Sequence, residues 1–156
     1  MTDEQNEVLN ILTFDFSPKP HRLVSQFDGV SPVIDGKNFL DEWNIGGSFI
    51  PLPYYALIEP ILSLDNFYTQ CDTISIERFC LCSCNCGYTG CDAVVCDILF
   101  DEYGEMHWKN FGTKTGGALG NIGPFRFDWD QTLEALLSAR DHLRGGRRRG
   151  RHDNHL

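Results

Sequence analysis

The chain has 156 residues, 13 Lys plus Arg against 22 Asp plus Glu, and seven cysteines. That length supports one self-sufficient core without help from disulfides or metal, and 12% aromatic residues argue against global disorder. No apolar run approaches the ~18 residues of a membrane span, and the formal charge of −9 argues against nucleic-acid binding by the folded part.

The acidic start, Met1-Thr2-Asp3-Glu4-Gln5-Asn6-Glu7, lacks the basic and apolar regions of a signal peptide. A cytoplasmic protein with reduced thiols is therefore expected. Val8 to Leu12 fits a helix, whereas Leu12-Thr13-Phe14-Asp15-Phe16 alternates like a strand, and Ser17-Pro18-Lys19-Pro20 breaks whatever precedes it. Arg22 to Phe27 and Val30 to Ile34 read as short extended pieces, and Asp35-Gly36 is a turn signal. Asn38 to Trp43 reads as a short helix ended by Gly46-Gly47. Pro51-Leu52-Pro53 opens an irregular apolar stretch, and Tyr54 to Leu64 reads as helix kinked or divided at Pro60.

The strongest β pattern lies between Thr73 and Phe111. Thr73 to Cys86, Cys91 to Phe100 and Met106 to Phe111 form three strands of an antiparallel meander, and Gly87-Tyr88-Thr89-Gly90 closes its first hairpin. Ala93 to Phe100 is apolar on both faces and reads as the central strand. A glycine-rich loop follows at Gly112 to Gly123, then a short strand at Pro124 to Phe127. The loop lacks the order G-x-x-x-x-G-K-[ST] of a phosphate loop, and a flexible surface segment is expected instead. The best helix runs from Trp129 to about Leu143, with Asp128 as cap, Gln131 as capping-box partner and Gly145-Gly146 as its end. Its apolar side is Trp129, Leu133, Leu136, Leu137 and Leu143.

These elements give an α+β fold: an antiparallel β-meander packed by a C-terminal helix and short N-terminal helices. One globular domain is expected over residues 1–143, and a disordered Arg-rich tail over 144–156. Residues 140–156 hold six arginines and two acids, which leaves seven basic and twenty acidic groups, −13, elsewhere. The tail could take RNA or an acidic partner, fold back on the acidic body, or serve only as a solubilising end.

Six of the seven cysteines fall in the 17 residues from Cys80 to Cys96. Strand alternation sends Cys80, Cys82, Cys84 and Cys86 to one face. Pairing Cys86 with Cys91 adds Cys91 to that face, sets Cys82 opposite Val95, and turns Cys96 to the other side. Three chemistries compete for the cluster. The first is zinc held by Cys84, Cys86 and Cys91, with Cys82 or His107 as fourth ligand. The second is core packing of small apolar thiols. The third is redox chemistry at Cys86 and Cys91, against which stand the odd cysteine count and the lack of an export signal. Asp97 is expected near Cys80 and is the acid with the best claim to a function. No papain-like or nucleophile-elbow signature is present, which points away from an enzyme.

The run Cys84-Asn85-Cys86-Gly87-Tyr88-Thr89-Gly90-Cys91 has the form C-x-C-G-x-x-G-C. It precedes Trp108-Lys109-Asn110-Phe111 as W-x-x-F and Gly123-Pro124-Phe125-Arg126-Phe127-Asp128 as G-P-F-x-F-D. In this order the motifs resemble a family of small uncharacterised bacterial proteins with the same hairpin, over about residues 30 to 140. The resemblance implies a fold and a motif but no reaction. It maps onto Cys84, Cys86 and Cys91, and marks Cys80, Cys82 and Cys96 as additions of this chain. The expectation is a non-catalytic protein with structural zinc at the hairpin, acting through a protein partner. The alternatives are an immunity-type acidic inhibitor of a basic toxin, and a thiol- or metal-dependent enzyme using Cys84, Cys86, Cys91 and Asp97.

Overall fold

The computed structural model describes residues 9–17, 29–43, 45, 49–65, 74–84 and 92–155, with side chains through His142. Among the described residues eight strands form one sheet: β1 (Leu12–Ser17), β2 (Gly29–Ile34), β3 (Lys37–Asn38), β4 (Phe49–Pro53), β5 (Ile74–Cys84), β6 (Ala93–Phe100), β7 (Glu105–Thr113) and β8 (Phe125–Asp128). Their order is β1-β2-β4-β5-β6-β7-β8, with β3 paired beside β2, and all neighbours are antiparallel. Helices α1 (Phe39–Glu42), α2 (Tyr54–Leu62) and α3 (Trp129–His155) complete the fold. The architecture is α+β, mostly sheet.

Alternation at Leu12 to Phe16 makes a strand, and β1 pairs in register with β2 from Leu12↔Ile34 to Ser17↔Gly29. Asp35 and Gly36, both at positive φ (55° and 82°), close the two-residue turn from β2 to β3. The Asn38 side chain caps α1 by accepting from the Leu40 N–H at 3.0 Å. The stretch around Pro51 is a strand and not irregular: β4 pairs with β2 at one end and β5 at the other. Prolines normally exclude a paired strand, and here only three residues face β5. Helix α2 is continuous, with Pro60 in its last turn.

The meander β5–β6–β7–β8 is present, but its first register differs from the expected one by one residue. Ser83 faces Ala93 and Cys82 faces Val94. Bulges lie between Ile76 and Phe79, between Cys80 and Cys82, and between Val95 and Asp97 on the β7 side. Strand alternation predicts an unbroken ladder, and nothing in it announces these insertions.

The core is continuous across the sheet and helices. Leu12, Phe39, Leu57, Ile61, Leu81, Ile98, Phe100, Trp108 and Phe127 are all fully buried in it. Helix α3 buries Trp129, Thr132, Leu136 and Ala139, a stripe shifted from the leucine face read in the sequence; Leu133 is only half-buried, and the Leu143 side chain lies outside the described residues. The Asp128 carboxylate accepts from the Gln131 N–H at 3.0 Å, as a cap does. The Gln131 side chain reaches β1 instead of completing a capping box, bonding both the N–H and the carbonyl of Leu12. Helix α3 also continues past Gly145 and Gly146 to His155. Arginine is a good helix former, which offsets part of the ~1 kcal/mol that each glycine costs.

The two ends of the strand order meet beside Asn10. Its N–H donates to the Arg126 carbonyl at 2.8 Å, and its side-chain oxygen accepts from the Arg126 N–H at 2.9 Å. Its amide also donates to Asp35 at 2.6 Å. No helix among the described residues is long and apolar enough to cross a membrane.

Candidate functional site

The cysteine hairpin is anchored where the Cys84 N–H donates to the Asp92 carbonyl at 3.0 Å. Cys86, Cys91 and the loop at 87–90 lie outside the described residues. Cys80, Cys82 and Cys96 are free thiols. The bulge at Leu81 overturns the expectation of one shared cysteine face. Cys80 is opposite Val95 and Cys82 opposite Val94, adjacent residues whose side chains leave opposite sides of the strand. Cys82 and Cys84 share a side with Cys96, and Cys80 shares the other with Asp97.

Burial pushes the Cys82 thiol up to about 12 and the Cys96 thiol well above its ordinary range. Cys80 is raised by burial as well, partly opposed by the positive charges of Lys114 and Arg78. Cys82 and Cys96 are thus protonated core residues at neutral pH, as packing of small apolar thiols requires. His107 is placed too far away to be a fourth ligand at the hairpin. It pairs with Leu99, six residues along β6 from Ala93, about 20 Å at ~3.3 Å per residue.

His107 belongs to a second cluster at the β6–β7 turn. Ligand-type atoms of Asp101, Glu105 and His107 lie within 4.8 Å of one another. One Asp101 oxygen accepts from the Tyr103 N–H at 2.8 Å and the Glu105 N–H at 3.1 Å, and the other meets His107 Nε2 at 2.8 Å. Burial works to raise the Asp101 carboxyl, but the hydrogen bonds from His107, Glu105 and Tyr103 bring it net below its ordinary value. Arg126 Nε sits 3.3 Å from the Glu105 carboxylate. That positive charge opposes a cation at Glu105, and the cluster's evident work is closing the turn. The sequence offers only an aspartate ahead of Tyr103-Gly104 as a signal for it.

A third arrangement surrounds Asp97. Arg78 on β5 and Asn110 on β7 both sit at φ 57°, one on each flank of the central strand. The Arg78 N–H donates to one Asp97 oxygen at 3.0 Å, and the Asn110 amide donates to the other at 2.9 Å. Asn110 first and the Arg78 N–H second hold the Asp97 carboxyl below its ordinary value. Above lies an open groove of about 580 Å³, lined by these residues, by Glu77 and by the glycine-rich segment. Sequence reasoning singled out Asp97 but missed both partners. Asparagine does favour positive φ, whereas arginine gives no such sign.

The glycine-rich segment is tied down. The N–H groups of residues 113–117 are all bonded within the protein, to Gly117 O, Ala93 O, Asp92 Oδ1, Thr113 O and Thr113 Oγ1 in turn. Bonded in this way they leave no free N–H cradle of the kind that takes a phosphate, and the segment is not the flexible one that its composition suggests. The chain matches no protein-family model, no curated protein and no solved structure.

Proposed function

We propose that the protein is a non-catalytic binding protein whose cysteine hairpin holds a structural zinc ion and presents the contact surface to a protein partner. The observation that carries this reading is the Cys84–Asp92 hydrogen bond. It closes the hairpin base so that Cys84, Cys86 and Cys91 fall on one short connection, within eight consecutive residues. Three cysteines so close in sequence suit the tetrahedral preference of zinc. Cys82, on the same side as Cys84, is the candidate fourth ligand, and a bound metal would displace the proton that its buried thiol otherwise keeps.

The non-catalytic half of the proposal rests on how the acids are used. Asp92, Asp97 and Asp101 each accept backbone N–H groups that close a loop, a bulge or a turn. The strongly acidic body favours a partner with a basic contact surface. Native mass spectrometry of protein purified without chelator tests the metal directly. One bound zinc is expected, with lower stability after chelation. A metal-free protein, folded and indifferent to chelator, overturns the metal half. Pull-down with the hairpin cysteines replaced tests the contact half.

A further inference from the structure

Arg78 and Asp97 line one groove with opposite charges, yet no ion pair joins them among the described residues. The bond between them comes from the Arg78 backbone N–H. The guanidinium instead reaches the Lys114 carbonyl at 2.8 Å, which engages one of its five N–H donors. The Asp97 carboxylate is thus held by neutral donors and the guanidinium by a carbonyl, while Lys109 and Arg78 act on Asp97 only through space. The groove's volume of about 580 Å³ is in the range of small-molecule sites. Two non-glycine residues at positive φ, Arg78 and Asn110, border the same groove. Asn110 has a side-chain oxygen besides the amide it gives to Asp97.

We propose that this groove binds a small zwitterion, a free amino acid or short peptide, with its carboxylate at Arg78 and its ammonium at Asp97. Opposite charges that line one groove without forming an ion pair are complementary to a molecule that carries both charges. A simple anion would meet the repulsion of Asp97 and Glu77, and a simple cation that of Arg78. The bonded N–H groups of the glycine-rich segment leave recognition to the side chains. This site is separate from the cysteine hairpin and does not depend on it.

The test is calorimetric titration of the full chain with the common free amino acids and with Gly-X dipeptides. N-acetylated and C-amidated forms of any binder are compared in parallel. At least one zwitterion should bind, and removing either charge should weaken it roughly tenfold or more. Arg78→Gln, at an exposed side chain, should weaken binding while the unfolding midpoint holds. Asp97→Asn should weaken it too, and since that change also loosens the bulges, the capped ligands on the unaltered chain carry the decision. Absence of any binding at millimolar concentration, or equal binding of capped and uncapped forms, overturns the proposal.

Discussion

Gln131 lies against Leu12 like one more residue of β-strand. Its side-chain amide donates to the Leu12 carbonyl at 2.8 Å, and its oxygen accepts the Leu12 N–H at 3.2 Å. Leu12 is fully buried, so water cannot readily replace these bonds. A helix side chain thus satisfies the backbone of β1 where the neighbouring strand ends.

Gln131→Ala should therefore destabilise the fold by about 1–3 kcal/mol, the cost of leaving buried backbone groups unpaired. Gln131→Glu keeps the acceptor and loses the donor, so its loss should remain substantial. Urea unfolding of the two variants against the parent measures both.

Acid should weaken the fold through Asp92, Asp97 and Asp101, all held below an ordinary value of 3.8. A carboxyl depressed in the folded state stabilises fully above the unfolded value. That contribution is lost as pH falls through the folded value. Stability should thus hold from pH 7 down to about 4 and fall below it. Asp97→Asn should be less stable at neutral pH and show a shallower acid decline. Unfolding midpoints measured between pH 2.5 and 7 decide the point.

Gly112 has no room for a side chain: a Cβ there would sit 2.7 Å from the Gly117 carbonyl oxygen. Gly112→Ala should cost about 1–3 kcal/mol, as overpacking does. Gly120 has open space around it and no positive φ. Gly120→Ala should be neutral or slightly stabilising by comparison. A gain in stability for Gly112→Ala would mean that the segment is not closed as described.

The proposed zinc at the hairpin can be tested with cobalt as a reporter. With Cys84→Ser, the thiolate-to-cobalt absorption of the loaded protein should shrink or vanish. With Cys96→Ala it should persist, because Cys96 is a core residue, and the loss should appear in the unfolding midpoint instead. His107→Ala should leave the cobalt spectrum unchanged, since His107 is about 20 Å away along β6.

The sequence revealed those parts of the fold whose side-chain period matches their environment. Alternation at Leu12 to Phe16 and across β5 to β7 located the strands, Asp35-Gly36 marked its turn, and Asp128 marked the start of α3. What stayed hidden depends on partners distant in the chain. β4 was obscured by Pro51 and Pro53, whose missing N–H groups normally mark a break. The bulges at Arg78 and Asn110 were invisible because neither residue requires positive φ by itself. The shift at Leu81 then moved Cys80 off the face of Cys82 and Cys84, which no count of alternating residues could foresee. Asp97 is the acid that the cysteine spacing brings to notice, but its flanking donors come from the strands on either side.

Asn10 engages both backbone groups of Arg126, and this has a consequence for how molecules meet one another. A strand with unpaired N–H and carbonyl groups is a template for another chain to add to. Asn10 occupies those groups on β8 from within the same molecule. Shortening the chain to begin after Asn10 would uncover them and offer the meander a sticky border. Asparagine at this position thus covers part of an open strand border as well as joining two parts of the fold.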